Sequence, residues 1–140
     1  MTSVLRGVML QPMALSDEPS APTGRIVSPR EDEEVGNYVK VTGELSGIPS
    51  GHSVWLAVKI GLLLWPKDEI SPSEGTWRST FDEGGDPGKE FGLALIMVGP
   101  DGERQIQRWL EDGSRTGSFP GLAHIEDSVR LDAVSSVTLR

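Results

Sequence analysis

Carboxylates are the groups in this 140-residue chain most often gathered closely enough to do chemistry. Glu31, Asp32, Glu33 and Glu34 form one run, and Asp82, Glu83 and Asp86 stand among glycines in "FDEGGDPGKEF". Oxygen ligands of this kind suit a hard cation such as calcium. The first run lacks the spaced D-x-D pattern of a calcium loop and reads as a solvated turn. The second, with its flexible glycines, is the better cation loop, but its composition is first that of a hairpin turn. His52 and His124 lie in different loops, and neither has a ligand partner at metal-binding spacing. No G-x-S-x-G elbow and no Ser–His–Asp set is evident. "GGDPGKEF" lacks the spacing of a phosphate-binding P-loop. Paired carboxylates could serve glycoside hydrolysis, but any acidic chain supplies them. The expectation is no catalytic residue, no metal, no cofactor and no enzyme activity.

The four tryptophans offer a different chemistry. A sugar ring stacks on a rigid, exposed indole face. Trp65 and Trp77 are the candidate platform, with Trp55 beside them if it faces outward. The competing reading places Trp55 between two sheets, Trp77 on one side of a strand with Phe81, and Trp109 on the apolar stripe of a helix. The N-terminal stretch holds Val4, Leu5, Val8, Met9, Leu10, Met13 and Leu15, more apolar surface than a solvating tail needs. Such a segment could add to a sheet edge of its own domain or of a neighbour.

These groups must be positioned by many short strands. The 17 glycines and 10 prolines are too many for a helical bundle. Residues 1–23 read as an arm ending in the linker "SDEPSAPTG", and residues 24–140 as one domain. Period-two alternation marks strands in "GRIVSP", "YVKVTGEL", "SVWLAVKI", "GTWRSTF" and "VRLDAVSSVTLR". In the second, Val39, Val41 and Leu45 point one way. In the third, Val54, Leu56, Val58 and Ile60 oppose Trp55, Ala57 and Lys59. After Gly61, "LLLWP" can return as a neighbouring strand. "FGLALIMVG" is apolar on both faces, as a strand covered on both sides would be. Ile106, Trp109 and Leu110 then follow a helical period, which predicts a helix over 102–112. Asp101 stands near its N-cap and Gly113 at its stop.

The order "IVSPREDEEVGNYVKVTGELSGIPSGHSVWLAVKIG", "GTWRSTFDEGGDPGKEFGLALIMVG", "IQRWLEDGSRTGSFPGLAHI" resembles a bacterial immunoglobulin-like module. It follows the "sP.dg..V...v.v.G" opening of such modules over roughly residues 25–140, with "EDEEVG" where a "DG" turn is usual. The resemblance implies an accessory or interaction domain and transfers no catalytic residue. The expected fold is thus all-β: an immunoglobulin-like antiparallel β-sandwich with one short helix before the last strand. Trp55, in the third strand, would be its core tryptophan.

Net charge −8 repels phosphate backbones and no basic stripe is present, so no nucleic-acid partner is expected. There is no cysteine. Arg6, Gly7, Gln11 and Pro12 interrupt the N-terminal apolar residues, so no signal peptide is read and a cytoplasmic location is expected. The apolar stretch from Val54 to Trp65 carries Lys59 and ends at Pro66, short of the about 20 residues a membrane span needs. The expected function is a non-catalytic protein–protein interaction or assembly module, contacting a partner or itself through the arm. The alternative is a carbohydrate-binding module.

Overall fold

The structure is a computed structural model and describes residues 21–71, 73 and 75–140. The elements run β1 (Thr23–Ser28), β2 (Glu34–Val35), β3 (Tyr38–Ser46), β4 (Ser53–Ile60), β5 (Leu63–Ile70), β6 (Gly75–Asp82), β7 (Glu90–Val98), α1 (Pro100–Thr116) and β8 (Ser128–Leu139). They build two sheets, one of three strands in the order β1-β3-β6 and one of five in the order β2-β8-β7-β4-β5. Over the described residues the fold is a β-rich sandwich with one helix. Its pairs are antiparallel except β2–β8, which is parallel, a departure from the all-antiparallel expectation.

Side-chain alternation explains the layers. Val39, Val41 and Leu45 of β3, with Trp77 and Phe81 of β6, face Val54, Leu56 and Val58 of β4 and Leu93 and Leu95 of β7. The opposite face of β4 and β7 carries Trp55, Ala94, Ile96 and Val98, which pack with Ile106 of α1 and with Ile125. The central strand β7 is therefore buried on both faces, as its unbroken apolar sequence requires. Trp55 is buried, but not between the sheets. Its neighbours Val54 and Leu56 take the inner face, so strand parity turns Trp55 outward, where α1 covers it.

The β4–β5 hairpin closes through Gly61 and Leu62, with Gly61 at φ 62°, a conformation glycine adopts without steric cost. β5 runs past Pro66 to Ile70 rather than stopping at the proline. Pro66 is tolerated because β5 is an edge strand. The cluster at 83–89 is not a hairpin turn: β6 and β7 belong to different sheets, and the loop carries the chain between them. The helix is longer than 102–112. Gly99 is its N-cap, Pro100 opens it, and Gly117 ends it at φ 77° with its N–H on the Gly113 carbonyl. Gly113 is a buried position inside the helix, lying against the Phe119 ring. Among the described residues no helix is long and apolar enough to cross a membrane.

Candidate functional site

The two acidic segments are used internally. Glu31 reaches β8 and accepts the N–H groups of Ser135 and Ser136, at 2.8 to 3.1 Å, where the β7–β8 register skips. A bulge leaves backbone donors without a ladder partner, and this carboxylate supplies one. These backbone hydrogen bonds, led by that from Ser135, hold Glu31 below its ordinary pKa against a smaller opposing effect of burial. Glu33 accepts the Arg30 N–H at 2.8 Å, and Glu34 begins β2. The run is a clamp on the sandwich as much as a solvated turn.

Glu83 is buried and meets Lys67 at 2.8 Å and Lys89 at 2.7 Å. Lys67 is the extra residue of the β4–β5 bulge. Two ammonium groups thus lie on the carboxylate that the alternative cation reading of this loop would use. Asp82 and Asp86 are exposed. His52 turns its ring toward the Ser50 carbonyl, and His124 is exposed with its own carbonyl taken by Gln105. Among the described residues no three His, Asp or Glu side chains form a group that could hold a metal ion.

The structure does not bring Trp65 and Trp77 onto one open surface. Trp77 is 9% exposed in the inter-sheet core, with its ring across from Gly43 of β3. Trp65 is half-buried, donates Nε1–H to the Phe119 carbonyl at 2.8 Å, and lies against Gly121. Trp55 donates to Glu103 at 2.9 Å and Trp109 to the Pro120 carbonyl at 2.7 Å. Val4, Leu5, Val8, Met9, Leu10, Met13 and Leu15 lie outside the described residues.

The feature that sequence reasoning missed is a difference between sheet edges. Edge strands expose unpaired amides and carbonyls, and proteins usually blunt them. On β1, a bulge expels Val27, and the outward Ile26 N–H is taken by Asp132 at 2.7 Å. On β5, Pro66 offers no N–H, and Leu64 exchanges both backbone hydrogen bonds with Leu122, at 2.9 and 2.8 Å. β2 has two residues. β6 has none of these devices. Its eight residues include no proline and keep one unbroken register against β3, from Tyr38–Asp82 to Leu45–Gly75. The Glu83 N–H bonds the Asn37 carbonyl. Antiparallel pairs alternate, so odd-numbered residues of β6 turn their backbone groups to β3. Thr76, Arg78, Thr80 and Asp82 then point theirs out of the sheet, where no partner is found among the described residues. Their side chains are exposed on the outer face of the sheet.

No family model and no curated protein matches the chain. Among solved structures it is similar to an engineered protein, a Northeast Structural Genomics Consortium target, at 13% identity and a TM-score of 0.47. The match covers 96% of this chain and 22% of that one, so the chain spans about a fifth of that protein's length.

Proposed function

We propose that this domain is a non-catalytic interaction or assembly module of immunoglobulin-like type, and that it joins its partner by strand addition along β6. The observation that supports this reading is the contrast between β6 and the three blunted edges. A strand laid along β6 would meet four outward residues with both backbone groups available, the usual source of affinity in strand addition. The apolar N-terminal positions from Val4 to Leu15 remain a second contact segment within the same reading. Sugar stacking has less support, because a stacked ring needs an open indole face and Trp77 is 9% exposed.

The test is capture by the immobilised domain, in wild-type form and with Thr80→Pro. The proline removes an outward N–H and leaves the β3 ladder intact. Binding that the substitution abolishes, with amides of Thr76, Arg78, Thr80 and Asp82 protected from exchange in the complex, supports the reading. Equal capture by both forms removes it.

A further inference from the structure

Resting on that reading of β6, we propose that the occupant of the edge is β6 of a second copy, added antiparallel about a two-fold axis at Thr80. The two three-stranded sheets then become one six-stranded sheet.

The charge pattern of the strand carries the argument. On its outer face β6 reads Thr76, Arg78, Thr80, Asp82, a cation and an anion placed symmetrically about Thr80. An antiparallel copy centred on Thr80 sets Arg78 opposite Asp82 of the second copy, and Asp82 opposite its Arg78. Thr80 faces its own counterpart. Opposite charges and paired threonines directly across a ladder are favourable, and like charges there are not. Among the described residues neither Arg78 nor Asp82 has an ion-pair partner that would compete with this pairing.

The backbone agrees with the side chains. Residues 78, 80 and 82 all turn their amide and carbonyl outward, and this register joins them as hydrogen-bonded pairs. Roughly six new backbone hydrogen bonds result, two for each pair. Lys40 lies beside Thr80 on β3 and would face its own counterpart only across three strand spacings, about 14 Å. At that distance two exposed charges are largely screened at physiological salt. The isologous contact also closes on itself, so it ends at a dimer.

The experiment is light scattering on the purified full chain over a concentration series. The expected mass is twice 15.1 kDa for wild type and 15.1 kDa for Thr80→Pro at the same concentration, with unchanged far-ultraviolet circular dichroism. Two further variants guard against misfolding. Arg78→Asp and Asp82→Arg each set like charges across the two-fold and should weaken the dimer by roughly tenfold or more. Mixing the two should restore association, because each then supplies the charge the other lacks. Single reversals that dimerise as tightly as wild type overturn the proposal, as does a dimer lost on removing residues 1–15 but kept by Thr80→Pro. A wild type monomeric at every concentration overturns it too. If such a monomer still captures another protein through an edge that Thr80→Pro blocks, the strand-addition reading stands and only the self-pairing falls.

Discussion

At the scale of single residues, Glu83 ties the loop at 83–89 to the rest of the sandwich. Burial pushes its carboxyl up, and hydrogen bonds from Lys67 and Lys89 outweigh that, leaving it below the ordinary glutamate value of 4.5. The folded state thus holds the Glu83 proton less tightly than the unfolded chain does. The stabilisation is complete above the unfolded value and is lost as pH falls through the lowered folded one. Glu83→Gln keeps the shape and removes the charge. The two lysines left behind are a quarter to a third exposed and can hydrate, so the cost at neutral pH is about 1–3 kcal/mol. Urea titrations at neutral pH and at about pH 3 should show the gap between variant and wild type narrowing in acid; an unchanged gap would place its origin elsewhere. Trp55 is the other residue whose role is specific, since it joins β4 to Glu103 of the helix. Trp55→Ala should cost roughly 3–5 kcal/mol in the same titration, and a loss under about 1 kcal/mol would contradict its burial.

At the scale of elements, the helix separates two kinds of glycine. A methyl group at Gly102 would run into the main-chain carbonyl of Glu126 and the Val98 side chain. The carbonyl cannot rotate away, so Gly102→Ala should lower stability by about 1–3 kcal/mol despite the better helix propensity of alanine. At Gly113 every nearest atom belongs to the Phe119 ring, which is 42% exposed and free to turn aside. Gly113→Ala should therefore change the unfolding free energy by no more than about 1 kcal/mol, although it loosens the edge-on contact of Phe119 with Trp109. Thermal melts and amide exchange across residues 100–116 check both, and equal costs would mean that helix docking does not distinguish the two positions. The same pair explains what the sequence could tell. The apolar stripe is legible because Ile106 and Trp109 repeat at helical spacing, and both are buried. The end of the helix was not legible, since a glycine chosen for contact with a ring has the same letter as one chosen to stop a helix. The strands read well for a like reason: alternation reports which face a residue takes, as Val39, Val41 and Leu45 do. It does not report what covers that face, which is why alternation alone does not tell the inter-sheet layer from the sheet–helix layer that holds Trp55.

At the scale of the whole molecule, the partition into sheets depends on pairings distant in sequence. "DEGGDPGKE" has the composition of a hairpin turn, yet it links two sheets because β6 pairs with β3 and β7 with β4 and β8. No local signal distinguishes those outcomes. That β6 has no outer neighbour among the described residues is hidden for the same reason, since an edge is defined by the neighbour a strand lacks. These long-range pairings also bear on the N-terminal segment. Among the described residues the first strand pairing joins Thr23 to Ser46, and the inter-sheet core is assembled from residues between Ile26 and Leu139. Its stability rests on that buried apolar surface and on ladders made within it. Removing residues 1–15 should therefore leave a folded domain with a cooperative melt and a β-type circular dichroism spectrum. Loss of either would show that the segment completes the fold and does not only contact a partner. If the truncated domain remains folded and also keeps a dimeric mass equal to that of the full chain, the apolar positions from Val4 to Leu15 take no part in that dimer, and the β6 edge is left to carry it.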